Sequence, residues 1–100
     1  MDEFHSRHGL LLSLQRALLG NVDQALRQAS IEIDVPRKIV RIRFEHEREI
    51  DADVKERLSI VAVEVIADFP SEWNLEEQYS IAQELRSLAY IGYRRFEPKT

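Results

Sequence analysis

Leu58 to Pro70 reads LSIVAVEVIADFP, the longest apolar run in the chain, and the fold turns on whether it is strand or helix. Ile60, Val61, Val63, Val65 and Ile66 are β-branched and favour strands. Its length, extended upstream by DADVKER over residues 51–57, favours a helix. Val54, Leu58, Val61, Ala62, Val65 and Phe69 recur at three- and four-residue steps along one stripe, while Asp53, Arg57, Glu64 and Asp68 gather on another. A helix is therefore expected, with Asp53 and Glu56 as a capping box at its start and Pro70 as its stop. A stripe this broad needs a sheet to lie on.

Upstream, the period of apolar residues changes to two. Ile31, Ile33 and Val35 alternate with Glu32 and Asp34; beyond Pro36-Arg37-Lys38, Val40, Ile42 and Phe44 alternate with Arg41, Arg43 and Glu45. That pattern predicts an antiparallel hairpin with one apolar face and one charged face, on which opposite charges pair across strands. Earlier still, Leu10, Leu11, Leu14 and Leu18 fall at helical steps, so a first helix is expected over Asp2 to Leu19, closed by Gly20 in a left-handed cap. Gly9 inside it costs roughly 1 kcal/mol relative to alanine. Asn21 to Gln28 reads as a short helical piece or a loop.

Downstream, the pattern leaves two readings open. Asn74 and Glu77 fit a capping box ahead of Leu75, Tyr79, Ala82, Leu85 and Ala89 on one helical face. Equally, Trp73, Leu75, Tyr79 and Ile81 alternate with Asn74, Glu76, Gln78 and Ser80, interrupted only by Glu77, which suits a strand. Ala89 to Phe96 reads as a short aromatic strand leaving through Arg94 and Arg95.

At 100 residues the chain is expected to form a single domain over 1–100, burying roughly 60–65 % of its unfolded surface. Apolar residues at 44 % and charged residues at 32 % argue against disorder. A formal charge of -4 disfavours generic phosphate-backbone binding and suits a basic protein partner better. The absence of cysteine excludes disulfides and thiolate chemistry and fits a reducing compartment. Gly9 to Leu19 is interrupted by Ser13, Gln15 and Arg16 well short of a bilayer span, so a cytoplasmic protein without a membrane partner is expected.

Four strings, LLSLQRALLG near the start, VAVEVIADFP in the centre, and NLEEQYSI with YIGYRRFE at the end, resemble a family of small bacterial immunity-type proteins. Genes of that family often lie beside polymorphic or contact-dependent growth-inhibition toxins. The resemblance spans almost the whole chain, and its most specific part is the central motif ending EVIADFP. It implies the order helix, two strands, helix, two strands, and favours the strand reading of Trp73 to Ile81. The chain departs from the family pattern around Gln83 to Leu88, where AQELRSL replaces an expected Pro-containing turn and suggests a helical turn. The expected fold is thus α+β, an antiparallel sheet of about four strands carrying two helices on one face.

What the resemblance implies for function is binding: a non-enzymatic immunity protein neutralises a cognate toxin domain by covering a surface that the toxin needs. The residues expected to meet the partner are Asp53, Glu56, Glu64 and Asp68, joined by Glu76 and Glu77, as an acidic face complementary to a basic toxin cleft such as that of a nuclease. The alternative is a stand-alone interaction or homo-oligomerisation module that pairs through an exposed sheet edge to form a homodimer.

Other constellations carry less. His5 and His8, one helical turn apart near Glu3, have no third or fourth ligand, and His46 between Glu45 and Glu47 reads as a solvated strand end. No metal and no cofactor is expected. Glu64 and Asp68 have nothing near them in sequence to complete an acid/base site. Arg41, Arg43, Arg94 and Arg95 on one sheet face would suit nucleic acid, but pairing with Glu32 and Asp34 is the better expectation. Trp73, Tyr79, Tyr90 and Tyr93 read as core or edge fillers, any exposed one being a candidate interface anchor. No phosphate loop or nucleophile elbow is present.

Overall fold

The computed structural model describes residues 7–97. Its elements run α1 (Arg7–Leu18), β1 (Leu26–Asp34), β2 (Ile39–His46), α2 (Ala52–Ile66), β3 (Asn74–Ile81) and β4 (Tyr90–Arg94). The strands form one sheet in the spatial order β3-β2-β1-β4, and α1 and α2 pack side by side on one face of it. Part of the expected first helix, Asp2 to Ser6 and with it His5, lies outside the described residues.

The sheet is mixed, which corrects the expectation of a purely antiparallel one. β1 pairs antiparallel with β2 and with β4, but β2 and β3 are parallel. The physical reason is α2: a 15-residue helix between β2 and β3 carries the chain back to the end from which β2 started, so the next strand enters in the same direction. β3 and β4 follow one another in sequence yet occupy opposite edges.

The interior is the alternation read from the sequence. Leu26, Ala29 and Ile31 of β1 and Val40, Ile42 and Phe44 of β2 are fully buried beneath Leu10 and Leu14 of α1 and Leu58, Val61, Ala62 and Val65 of α2. Tyr79 of β3 stacks on Phe44 with ring centroids 5.3 Å apart. Residues 21–25 form a loop rather than a helical piece, and β1 begins at Leu26, earlier than its clean alternation. A bulge explains why: the register shifts between Leu26 and Gln28, so Leu26 and Ala29 both face the helices although they are three residues apart.

Local signals set the helix ends. Gly20, at φ +77°, terminates α1 in the left-handed conformation that a side chain rarely adopts, and Asn21 Nδ2 donates to Ala17 O at 3.2 Å. At α2 the cap is Asp51, whose carboxylate accepts the Val54 N–H at 2.9 Å, not Asp53 with Glu56 as expected. α2 also ends at Ile66, so Asp68 to Pro70 belong to the turn that seats Phe69 against Trp73, ring centroids 5.3 Å apart. Gly92 has a packing reason: a Cβ there would meet Leu14 Cδ2 at 2.5 Å, so the glycine lets α1 approach β4.

Residues 82–89 correct the expectation of a helical turn. They run as an extended strap from the β3 edge to the β4 edge, across the face opposite the helices. Glu45 accepts the Arg86 N–H at 2.6 Å, Ser30 Oγ accepts the Leu88 N–H at 2.9 Å, and Glu32 accepts the Ala89 N–H at 3.3 Å. Arg43 donates to Arg86 O, and Arg27 donates to Ala82 O at 2.6 Å and Gln83 O at 3.0 Å. The strap buries Leu88 and seals Glu45, whose other oxygen accepts from Gln28 Nε2 at 2.8 Å.

Candidate functional site: the outer face of helix α2

A helix lying on a sheet hides one stripe and presents the other. On α2 the hidden stripe is Leu58, Val61, Ala62 and Val65; the presented one runs through Asp53, Glu56, Ile60, Val63, Glu64 and Ala67. At its centre Ile60 and Val63 are 52 % and 54 % exposed, two branched aliphatic side chains in water on a helix whose own core stripe is complete. Around them Asp53, Glu56 and Glu64 are exposed, and among the described residues none of the three has a hydrogen-bond or ion-pair partner for its carboxylate. Arg57 and Lys55 are the basic residues of the helix, and Lys55 Nζ lies over the Tyr79 ring at 5.2 Å.

The six acidic residues singled out in the sequence therefore separate into two groups. Asp53, Glu56 and Glu64 share the outer face of α2. The other three are engaged within the chain. Asp68, just past the helix, accepts from Ser13 Oγ of α1 at 2.7 Å. Glu76 accepts from Arg41 Nε at 3.0 Å on the strap side of the sheet. Glu77 is on the opposite side, beneath α2, accepting from Ser59 Oγ at 3.1 Å and from Tyr79 Oη at 2.6 Å. Burial, followed by the bond to Glu77, raises the Tyr79 hydroxyl well above the ordinary phenol range. The residue that interrupted the β3 alternation is thus a carboxylate on the apolar side, held by two hydroxyls.

The arginines are likewise engaged. Arg41 reaches Glu32 at 3.2 Å, Asp34 at 3.5 Å and Glu76 at 3.0 Å, the cross-strand pairing expected of the charged face. Arg43 binds Gln78 Oε1 at 2.8 Å as well as the strap. Arg95 bonds Glu47 at 2.8 Å and Glu97 at 2.9 Å, leaving Arg94 as the member of the quartet without a partner among the described residues. Arg27, which no pattern in the sequence singled out, holds Glu97 with two bonds of 2.7 Å, and mainly through it the Glu97 carboxyl is lowered to about 2.

His46 corrects the expectation of a solvated strand end. It is 2 % exposed, with Nε2 3.3 Å from Asp23 Oδ1, and ties the 21–25 loop to β2. Trp73 is buried and Tyr79, Tyr90 and Tyr93 are half-buried, so the exposed apolar centre on α2 is aliphatic rather than aromatic. Among the described residues no three histidine or carboxylate side chains gather as metal ligands, and no helix is long and apolar enough to cross a membrane.

No curated protein matches the sequence. A family model described as the MafI2 immunity protein does match, over residues 7–97, the whole of the sheet and both helices. The chain belongs to the MafI2 immunity protein family.

Proposed function

We propose that this protein binds a cognate bacterial toxin domain one to one and neutralises it by covering a surface the toxin needs, with the outer face of α2 as the contact. The observation that carries the choice of surface is the exposed pair Ile60 and Val63 ringed by the unpaired carboxylates of Asp53, Glu56 and Glu64. An apolar centre supplies binding energy once desolvated, and a charged rim supplies steering and register. A toxin with a positive cleft, as a nuclease needs for phosphates, suits this charge. Its action is stoichiometric rather than catalytic and takes place in the cytoplasm, in a contact-dependent growth-inhibition or related toxin system.

Nucleic acid as the partner is disfavoured by Arg41 and Arg43, whose guanidinium groups are already bonded to acids, an amide and the strap. The test is co-purification of the tagged protein from its native host, then titration of the polypeptide recovered. Ile60→Asp is expected to weaken binding by about 100-fold, the scale of a hot-spot residue. Glu56→Lys with Glu64→Lys is expected to slow association by about tenfold at low salt, with less effect at high salt. Unchanged affinity in both variants would remove the α2 face, and recovery of no toxic partner would remove the immunity reading.

A further inference from the structure

The two edges of the sheet are unlike. β4 has five residues, and its register with β1 shifts between Ala29 and Ser30. β3 has eight, in unbroken register with β2 from Asn74 to Ile81. A parallel ladder alternates: one residue turns both its N–H and C=O to the neighbouring strand, and the next turns both away. Asn74 N–H donates to Lys38 O at 2.9 Å and Ala82 N–H to His46 O at 2.9 Å, so Asn74, Glu76, Gln78 and Ser80 face β2. Leu75, Glu77, Tyr79 and Ile81 hold their backbone groups outward, and among the described residues no strand lies beyond them. Such an edge is a template for another strand.

We propose that the occupant is a second copy of this chain, its β3 antiparallel to the first with Gln78 on the two-fold axis, joining two four-stranded sheets into one. The side chains select both the occupant and the register. With Gln78 on the axis, all four outward-facing residues of each copy are engaged. Glu77 then meets Tyr79 of the second copy, the carboxylate and phenol that already bond within one chain at 2.6 Å. Glu76 meets Ser80, Gln78, whose amide is held by Arg43 and Glu76 of its own chain, meets its copy without opposing like charges, and Leu75 covers Ile81, which is 57 % exposed in one copy.

The neighbouring registers are worse. Glu77 on the axis would oppose its own carboxylate, and Tyr79 on the axis would set Glu77 against Ile81. Self-complementarity of this kind is what an isologous interface requires and a foreign strand would not need. The helical layer continues in step, because two strands span about 10 Å, the spacing of two packed helices. α2 would lie beside its copy through the flank that carries Lys55 and Ser59, over β3. Asp53, Ile60 and Glu64 lie away from that flank, while Val63, one turn on from Ser59, and Glu56 border it, so the dimer leaves the Asp53, Ile60 and Glu64 side of the α2 surface open.

The test is sedimentation equilibrium of the full chain over a wide concentration range. The wild type is expected to form a dimer. Ser80→Glu, at an exposed position, would oppose Glu76 of the second copy twice and raise the dimer dissociation constant by at least about tenfold; Ser80→Lys would lower it. Gln78→Cys, in a chain without cysteine, would cross-link on mild oxidation, since a pair on the axis places its Cα atoms about 4.5 Å apart. A wild-type monomer at every concentration would overturn the proposal, as would a dimer indifferent to both charges and not cross-linked at position 78. Protection of the Glu77 and Tyr79 amides only after a foreign polypeptide is added would assign the edge to that partner's strand instead.

Discussion

The two faces of the sheet are built from alternate residues of the same strands, yet different forces hold them. Beneath the helices, Ala29, Ile31, Val40, Ile42 and Phe44 pack without direction, and any side chain of similar volume and shape contributes similarly. Beneath the strap, Gln28, Ser30 and Glu45 are just as buried, but each is there for particular partners at fixed distances, Gln28 for Glu45, Ser30 for Leu88, and Glu45 for both Gln28 and Arg86. The first face makes the fold stable. The second tells residues 82–89 where to lie, because their backbone donors find acceptors at those side chains rather than on another strand.

Substitutions can break this contrast or sharpen it. The largest effect is expected for Phe44→Ala, about 3–5 kcal/mol of global stability, read from urea unfolding as a shift in midpoint and as faster exchange of amides across the whole sheet. Glu45→Ala leaves the buried Gln28 amide and the part-buried Arg86 N–H without their acceptor and is expected to cost about 1–3 kcal/mol. Its signature is local: exchange should quicken at Arg86 and Leu88 before it does in β2. Ser30→Ala removes the acceptor for Leu88 and should cost about 1 kcal/mol, again confined to the strap. If either strap-side variant loosened β1 and β2 as much as Phe44→Ala does, the two faces would be one cooperative unit and the contrast would fall.

The smallest effect depends on pH. Glu97 ionises in the folded chain at about 2 against an ordinary 4.5, because Arg27 and then Arg95 bind its carboxylate. The folded value is the lower, so the anchoring of residues 95–97 is fully present above about pH 4.5 and is lost as pH falls towards 2. Amide exchange of Arg95, whose N–H bonds Arg27 O at 2.9 Å, should therefore rise over that window in the native chain and stay flat in Glu97→Gln.

What the sequence made legible follows the same division. The hairpin and α2 were readable because apolar burial leaves a period, two on the strands and near four on the helix. The strap was not, since a backbone N–H bonded to Glu45 or Ser30 leaves no mark on the identity of Arg86 or Leu88. The bulge at Arg27 hid the start of β1 by spoiling the alternation. Parallel pairing of β2 with β3 depends on the path of α2, which no local pattern reports. Among the candidate site residues, Asp53, Glu56 and Glu64 were separable from Asp68, Glu76 and Glu77 only once Ser13, Arg41 and Ser59 were placed beside the latter. Ile60 and Val63 fall off the apolar stripe of the helix, so the period already places them outward, but their β-branched side chains read equally as strand residues.

The strand order has a consequence in time. β1 meets β2 across a tight turn, but its other edge is closed by β4, at the far end of the order in which the strands are made. While the chain leaves the ribosome, the hairpin and α2 can assemble with that edge of β1 still bare, and bare edges recruit other strands. Closure waits for a loop joining residues 58 apart in sequence, as the Leu88 to Ser30 bond is. Newly made molecules thus pass through an interval of vulnerability to mispairing that ends when β4 arrives, and crowding of nascent chains on one messenger would lengthen the odds against them.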